Sequence, residues 1–157
     1  MPSLRRLRPY SFALATLAAA GCGSAAEPVT TPPGTQIDAY LEREGLVDEE
    51  TTTASGLVYI VDAPGGEEVA ELSDDITIHY KGYTPDGNVF DETDGTPRTF
   101  PLSRLIPAWQ EGIRQIGRGG KIKLFAPPAL AYGPSPPPGI PAGAVLIFDI
   151  ELVDFGG

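Results

Sequence analysis

The sequence has few of the residues on which most enzymes base their chemistry. Its 157 residues include one cysteine and one histidine, and they carry a formal net charge of −10. With His79 as the one imidazole and no Gly-x-Ser-x-Gly turn, neither a zinc site nor a serine hydrolase triad can be assembled. A chain this acidic has nothing to neutralise a row of phosphates. We therefore expect no metal, no cofactor and no nucleic-acid partner.

A second cysteine is also absent, so no disulfide can form within the chain. The one cysteine, Cys22, follows three arginines within residues 5–8, the apolar stretch "YSFALATLAAA" and a glycine. The apolar stretch is too short to span a bilayer and is typical of a signal peptide. The sequence "AAAGC" resembles a bacterial lipobox, in which cleavage leaves a lipid-bearing cysteine as the first mature residue.

These features predict a signal peptide over residues 1–21, lipid attachment at Cys22 and a flexible tether over residues 22–34. An ordinary secretory peptide, cut after Ala20 or Ala26, is the alternative. In both cases the mature protein is exported, and we expect it in the cell envelope, on the periplasmic or extracellular face. The lipid would anchor it to a membrane.

Residues 35–54 form an acidic lead-in that contains a short helical pattern, "TQIDAYLEREGL". Thr35 is a candidate cap for the start of this helix, and Gly45 is a natural stop. Three apolar residues fall on one face of the helix. We interpret it as a docking or spacer helix rather than a functional site.

Alternating strand patterns dominate the chain from residue 76 onward. The segments "ITIHYKGY", "KIKLFA" and "GAVLIFDIELV" place apolar residues at every second position. The exception is "IPAWQEGIRQI", where Pro107 suits a first helical turn and Trp109, Ile113 and Ile116 share one face. One short helix among antiparallel strands predicts an α+β fold, with the sheet curled around that helix.

Aromatic side chains are concentrated at the inward positions of the predicted strands and near the helix. The set comprises Tyr80, Phe90, Phe100, Trp109, Tyr132 and Phe148. We interpret Phe100 as ordinary core, whereas Tyr80 and Tyr132 carry hydroxyls that need partners when buried. Trp109, near a helix start, is expected to be half-exposed. Asp91 in such apolar surroundings would be costly without a purpose, so the set predicts a shallow aromatic pocket with a few polar groups.

A proline-rich run, "PSPPPGIP", leads directly into the last predicted strand. Proline has no place inside a sheet ladder, because it lacks a backbone donor. One interpretation is a PxxP ligand displayed for the aromatic groove of a partner. The other is a stiff loop, held at both ends by strands, that forms one wall of a site.

Three segments together resemble FKBP-type peptidyl-prolyl cis–trans isomerases. They are "ITIHYKGYTPDGNVFDET", "FPLSRLIPAWQEGIRQIGRGGKIKLFAPPALAYG" and "GIPAGAVLIFDIELVDF". The motifs H-Y-x-G, V-F-D, I-P-x-W-x-E-G, A-Y-G, I-P and F-D-I-E-L occur in the family's order. The resemblance implies an isomerase domain over residues 55–157, with five or six antiparallel strands in a half-barrel around one short helix.

The resemblance also implies a site between the helix and the sheet, overhung by the proline-rich loop. Trp109 would form the floor of this site, and Ile106 would offer a backbone amide to the substrate. The implied catalytic residues are Tyr80, Phe90, Asp91, Trp109, Tyr132 and Phe148, and the implied substrate-binding residues are Leu105, Ile106 and Ile140. Two loops, after Asp91 and before "PAG", are shorter than is usual in the family, which bears on specificity.

The activity implied by the resemblance is faster rotation of X–Pro bonds during the folding of exported proteins, through a twisted amide stabilised in an apolar aromatic pocket. The partners would be proline-containing unfolded polypeptides, and we expect a monomer. The alternative is a non-catalytic, peptide-binding chaperone module of the cell envelope that uses the same pocket. Retention of nearly every lining aromatic favours the isomerase.

Overall fold

The computed structural model describes residues 31–156, which form two α-helices, three short 3-10 turns and one antiparallel sheet. The helices are α1 (Pro33–Glu44) and α2 (Pro107–Gly112). The strands are β1 (Thr51–Thr52), β2 (Val58–Ala63), β3 (Asp75–Tyr83), β4 (Val89–Glu92), β5 (Arg98–Pro101), β6 (Lys121–Ala126) and β7 (Leu146–Gly156).

The predicted signal peptide over residues 1–21, the lipid attachment at Cys22 and the first part of the predicted tether, residues 22–30, lie outside the described residues. Within residues 31–156, neither helix has the length and apolar character needed to cross a membrane.

All seven strands belong to one sheet with the order β1-β2-β6-β7-β3-β4. Strand β5 pairs with the first half of β3, and β4 pairs with its second half. Strands β3 and β7 form the centre, where Ile78 lies opposite Leu152 and Tyr80 lies opposite Ile150. The predicted α+β class with its antiparallel sheet is confirmed. The sheet has seven strands rather than five or six, because the two-residue β1 adds an edge.

Helix α2 packs on the inner face of the sheet and forms the larger of two cores, which we call the inner core. Ile76 and Ile78 of β3 are fully buried there. Ile113, in the 3-10 turn that continues α2, and Ile116, directly after that turn, belong to the same core and are also fully buried. Pro107 occupies the first turn of α2, as predicted, because its fixed φ suits a helix start and the missing N–H is not needed there.

Helix α1 packs on the opposite, outer face of the sheet and forms the outer core. This core consists of Ile37, Tyr40, Leu41, Ile60, Tyr83, Phe125, Val145 and Ile147. Val145, directly before β7, and Ile147 are fully buried, although alternation along this segment places them on the face away from α2. The sheet is therefore apolar on both faces near its centre, because each face is covered by a helix.

The start of α1 differs from the prediction. Thr35 is not its cap, because the helix begins two residues earlier, at Pro33, after Pro32 in an extended conformation. Proline in the first helical position supplies the required φ without a side-chain cap. Gly45 ends the helix as predicted, with φ 71° in the left-handed region that glycine adopts without strain.

Polar contacts fasten the outer core at one edge. The hydroxyls of Tyr40 and Tyr83 are 3.2 Å apart, and Lys123 Nζ donates to the Tyr83 hydroxyl at 3.0 Å. Lys123 also pairs with Asp149 on the neighbouring strand. Helix α1 is thus hydrogen-bonded directly to β3 through Tyr40 and Tyr83, and Tyr83 connects it to Lys123 of β6 and Asp149 of β7.

Candidate active site

A cavity of about 160 Å3 opens between α2 and the inner face of the sheet, and aromatic side chains form most of its wall. Its lining consists of Tyr80, Phe90, Asp91, Phe100, Leu105, Ile106, Trp109, Tyr132 and Phe148. The cavity brings together all the predicted site residues of the described chain except Ile140. The side chain of Ile140 is partly buried against the inner core and does not line the cavity.

Trp109 lies at the floor of the cavity with two other rings edge-on to its indole. Its ring centroid is 5.2 Å from those of Tyr80 and Phe148, at interplanar angles of 71° and 89°. Phe90 stands against Phe148 in the same way, with the centroids 5.8 Å apart. Such T-shaped contacts place the positive edge of one ring on the negative face of the next. The rings therefore support one another's orientation.

Trp109 is more deeply buried than the sequence predicts. Its side chain is 6% exposed rather than half-exposed, because the face it shares with Ile113 turns towards the sheet. Among the described residues, its Nε1 has no hydrogen-bond partner. Trp109 thus belongs to the inner core as well as to the cavity, so a substitution there affects folding as well as binding.

Two walls of the cavity can contact each other because residue 82, which lies between them, is a glycine. Gly82 lies opposite Phe148 on β7 and opposite Asp91 on β4. A Cβ at this position would stand 2.7 Å from the Phe90 ring and 3.0 Å from the Phe148 ring. Carbon atoms do not approach so closely. The missing side chain lets Phe90 cross the strand and reach Phe148.

Three polar side chains stand together at one edge of the cavity. The Tyr80 hydroxyl donates to Asp91 Oδ2 at 2.6 Å, and Arg98 Nη1 donates to the same hydroxyl at 3.0 Å. Arg98 also lies 3.5 Å from Asp91 Oδ1, and both charged side chains are about half exposed. Burial, and then the hydrogen bond to Asp91, raises the pKa of Tyr80 to about 12. The hydroxyl is therefore a fixed neutral donor at physiological pH.

The loop between β6 and β7 borders the cavity through Tyr132, which is 39% exposed. Residues 124–148 contain no charged side chain. The Gly143 N–H donates to the Gly133 carbonyl at 3.0 Å and closes the proline-rich part of the loop at its base. Burial and the negative charge of Asp91 raise the pKa of Tyr132. One side of the cavity is thus uncharged and proline-rich, and the other carries the Tyr80–Asp91–Arg98 group.

Two residues of the site were missed or misjudged from the sequence. Phe100, interpreted as ordinary core, lines the cavity and stands edge-on to Tyr80 with the centroids 6.3 Å apart. Arg98 was not considered, although its guanidinium completes the polar group. Both belong to β5, which pairs with β3 so that Arg98 lies opposite Ile78. The short segment "RTFPL" gave no signal for that pairing, so these two contacts could be found only from the structure.

Volume alone does not identify this cavity as the functional site, because the described chain has wider depressions. Wider depressions, of about 300, 400 and 310 Å3, lie elsewhere on the described chain, the last of them beside Lys81, Tyr83 and Asp149. The first lies on the outer face, where His79, Lys81 and Lys121 alternate with acidic residues. The second borders the exposed side of α2 and is lined mainly by polar and charged groups. Binding sites for small groups are mostly apolar with a few placed polar atoms, and the aromatic cavity fits that description best.

The arrangement suits binding and orientation rather than proton transfer. The centre of the cavity holds rings, and its charged groups are engaged with each other at the edge. Its volume is about five times the ~30 Å3 of a water molecule in the liquid, which leaves room for a small ring. A small apolar ring could rest on Trp109 while polar groups at the edge contact the atoms attached to it.

The chain matches the sequence model of the FKBP-type peptidyl-prolyl cis-trans isomerase domain over residues 66–153, more than half of its length. It is 48% identical over 117 residues to the FKBP-type peptidyl-prolyl cis-trans isomerase FkpA of Escherichia coli (strain K12). That alignment covers 73% of this chain and 43% of the relative. The chain therefore spans less than half the length of this curated relative.

Solved structures give the same result. A crystal structure of FkpA from Escherichia coli superimposes with a TM-score of 0.70 at 41% identity, covering 78% of this chain and 58% of that one. A crystal structure of AtFKBP13 superimposes with a TM-score of 0.62 at 34% identity, covering 69% of this chain and 99% of that one. Sequence model, relative and structures agree, and the chain belongs to the family of FKBP-type peptidyl-prolyl cis-trans isomerases.

Proposed function

We propose that the protein is a peptidyl-prolyl cis–trans isomerase that accelerates rotation of X–Pro bonds in polypeptide chains. The observation that carries the proposal is the 160 Å3 cavity, which has an aromatic floor and walls and keeps its charges at one edge. Membership of the family supports this activity. Because the chain is shorter than its curated relative, the proposal rests on the side chains present in this site.

The chemistry needs no acid or base. Rotation about an X–Pro bond is slow because the twisted amide loses its resonance, which creates a barrier of ~18–20 kcal/mol. No proton has to move during this rotation. A site that binds the twisted amide more tightly than either planar isomer lowers the barrier. The twisted amide has a smaller dipole than the planar form, so an apolar site favours it relative to water.

The geometry suggests a role for each side of the cavity. The proline ring would rest on the indole of Trp109, between the rings of Phe90 and Phe148. The N–H of Ile106 and the hydroxyl of Tyr132 would hold the backbone on either side of the bond. Asp91 would hold the Tyr80 ring in place through the 2.6 Å hydrogen bond rather than act as a base.

A peptide isomerisation assay tests the proposal. The purified protein should accelerate the cis-to-trans reaction of X–Pro peptides with apolar residues before proline, and the rate should rise in proportion to its concentration. Bovine serum albumin at equal mass serves as the control for nonspecific effects.

The competing function, a non-catalytic peptide-binding chaperone module, predicts a different result from the same protein. Peptides would then quench or shift the fluorescence of Trp109, the one tryptophan of the chain, without any gain in isomerisation rate. That outcome would refute the isomerase and establish the chaperone.

We also propose that the protein acts on exported polypeptides and is anchored to a membrane by lipid at Cys22. The support is the basic start of the chain, the short apolar stretch and the single cysteine that follows it. One acyl chain alone gives only marginal membrane binding, so two or more chains on Cys22 would be needed for stable anchoring.

Metabolic labelling with a fatty-acid analogue in a bacterial host tests the anchor. The wild type should be labelled and sediment with membranes, and Cys22→Ser should be unlabelled and soluble. Equal labelling of the two proteins would contradict the proposal and favour an ordinary secretory peptide.

A further inference from the structure

The rim of the cavity next to α2 is a short irregular segment, residues 102–106, which we call the rim segment. Its first part is a 3-10 turn over Leu102–Arg104, closed by a 3.2 Å bond from the Leu105 N–H to the Leu102 carbonyl. Leu105 and Ile106 line the cavity. Turns of this kind have poor hydrogen-bond geometry, so the orientation of the last two peptide groups needs further support.

Ile106 joins the rim segment to α2. It is the residue before the helix, with φ −61° and ψ 150°. Its carbonyl accepts bonds from the Trp109 N–H at 2.9 Å and the Gln110 N–H at 3.2 Å. Its own N–H has no backbone acceptor among the described residues. This N–H is the one that we propose to contact the substrate, and the present inference rests on that function.

Gln110 supplies the missing support. Its side-chain Nε2 donates to the Leu105 carbonyl at 2.7 Å and to the Ser103 carbonyl at 3.2 Å. A glutamine amide has two N–H donors, so one side chain satisfies two carbonyls of the rim segment. The residue lies directly after Trp109, and the same turn of α2 therefore carries the floor of the cavity and the anchor of its rim.

The bond to Leu105 has a direct consequence for Ile106. The Leu105 carbonyl and the Ile106 N–H belong to one peptide group, which is planar and holds its C=O and N–H in opposite directions. Fixing the carbonyl towards Gln110 therefore fixes the direction of the N–H. A hydrogen bond accepted by the carbonyl also polarises the peptide group and makes its N–H a stronger donor.

We propose that Gln110 is a positioning residue: by holding the Leu105 carbonyl it aims and strengthens the Ile106 N–H as a donor to the substrate. It does not touch the reacting atoms itself. The role is independent of the rings, since it concerns the single peptide group between Leu105 and Ile106.

The test compares Gln110→Leu with a matched control, Gln115→Leu. Gln115 is exposed on the 3-10 turn after α2, and its amide donates to the Glu111 carbonyl, away from the rim segment. A hydrogen bond to the substrate contributes about a factor of five in affinity, and in Gln110→Leu the Ile106 N–H is no longer held in the direction of the substrate. Gln110→Leu should therefore raise KM for X–Pro peptides by about fivefold with a smaller change in kcat, and Gln115→Leu should change neither.

A second measurement separates positioning from a general loss of structure. In two-dimensional NMR of the whole protein, the Ile106 amide proton should shift upfield in Gln110→Leu and lose most of the displacement that a proline peptide causes in the wild type. Amide resonances of the inner core, such as that of Ile78, should stay in place. If Ile106 responds to peptide equally in both variants, Gln110 does not position it.

Gln110→Glu gives an independent pH readout. An ionised carboxylate cannot donate to either carbonyl, whereas a protonated one can donate to one of them. The peptide affinity of this variant, relative to the wild type, should increase as pH falls through the carboxyl pKa, near 4.3 for an unperturbed glutamate. A ratio that does not change with pH would overturn the proposal. If the wild type proves to have no isomerase activity, the proposed function fails, and the NMR response of Ile106 still decides the role of Gln110.

Discussion

At the scale of single residues, Tyr80 joins the apolar and the polar parts of the cavity. Its ring contacts Trp109 and Phe100 edge-on, and its hydroxyl bonds to Asp91 and Arg98. Because its raised pKa of about 12 keeps the hydroxyl protonated at physiological pH, it can donate to Asp91 and accept from Arg98 at once. The ring orientation in the wall therefore depends on charges at the edge.

Replacement of Asp91 tests this dependence. In Asp91→Leu the Tyr80 hydroxyl loses its acceptor and Arg98 loses its counter-ion, so the polar end of the Tyr80 ring is held less firmly. We expect kcat/KM to fall by about fivefold to tenfold, with peptide binding retained. Stability should change little, since the Asp91 side chain is 52% exposed.

Asp94→Leu is the matched control for Asp91→Leu, because it removes an exposed carboxylate three residues away that does not line the cavity. It should leave kcat/KM unchanged. A similar loss of kcat/KM in both variants would show that catalysis depends on negative charge on this side of the protein, and not on the bond to Tyr80.

Trp109→Leu should affect both folding and catalysis, because the indole is shared by the inner core and the cavity floor. Loss of a buried indole to alanine costs about 3–5 kcal/mol, and leucine recovers part of the volume, so we expect about 2 kcal/mol lower stability. An apolar floor remains, so turnover should persist with a raised KM. Urea unfolding measures the loss of stability, and peptide kinetics measure the change in KM. An unchanged KM in a destabilised variant would show that Trp109 does not contact the substrate.

A residue of the site could be predicted from the sequence when it lies on a regular helix or strand, and not when its position depends on how two strands pair. Trp109, Tyr80 and Phe148 lie on regular elements whose periodicity sets their direction, and the cavity contains them as predicted. Arg98 and Phe100 enter through the pairing of β5 with β3, which depends on the path of the intervening loop. Periodicity carries no information about that path.

At the scale of elements, the alternating pattern predicted the strands, and Pro107 predicted the start of α2. The packing of α1 could not be predicted in this way. Leu146 and Phe148 of β7 belong to the inner core, whereas Ile147, with Val145 directly before the strand, belongs to the outer core. Apolar residues on both faces indicate that both are covered. The covering element for the second face comes from the acidic lead-in, over a hundred positions earlier in the chain, which local patterns cannot show.

Leu41→Ala tests whether α1 is part of the stable fold. Leu41 is 3% exposed in the outer core, so the cavity left behind should lower the free energy of unfolding by about 2–5 kcal/mol. The aromatic cavity lies on the other face of the sheet, so kcat/KM below the unfolding transition should stay within about twofold of the wild type. Glu42→Ala, exposed on the same helix, is the control and should change neither quantity. Unfolding of Leu41→Ala at the wild-type temperature would mean that α1 contributes nothing to stability.

At the scale of the whole molecule, lysines of β3 and β6 stand next to acids of the central strand β7 in a chain with net charge −10. Asp149 on β7 lies between Lys81 on β3 and Lys123 on β6. The next outward acid, Glu151, pairs with Lys121 at 3.2 Å. Exposed pairs of this kind contribute about 0–1 kcal/mol each. Buried tyrosines have a larger influence on how stability depends on pH.

Alkaline pH should destabilise the protein through these tyrosines. Burial raises the pKa values of Tyr80 and Tyr83 to about 12 from the ordinary value of 10.0. Below pH 10 both hydroxyls are protonated in the folded and unfolded chains. Between pH 10 and 12 the unfolded chain releases these protons while the folded chain keeps them, so unfolding becomes more favourable, by up to about 2–3 kcal/mol per tyrosine.

Tyr83→Phe isolates one of these contributions, because it removes the titrating hydroxyl and keeps the ring in the outer core. At pH 8 it should be less stable than the wild type, since Lys123 and Tyr40 lose a hydrogen-bond partner. Between pH 10 and 12, however, its free energy of unfolding in urea should fall less steeply, by about 2 kcal/mol over that range. Tyr59→Phe controls for loss of a tyrosine hydroxyl, because within residues 31–156 that hydroxyl contacts only Gln115, at 3.5 Å. Parallel declines in the wild type and Tyr83→Phe would show that Tyr83 does not govern the alkaline limit of the fold.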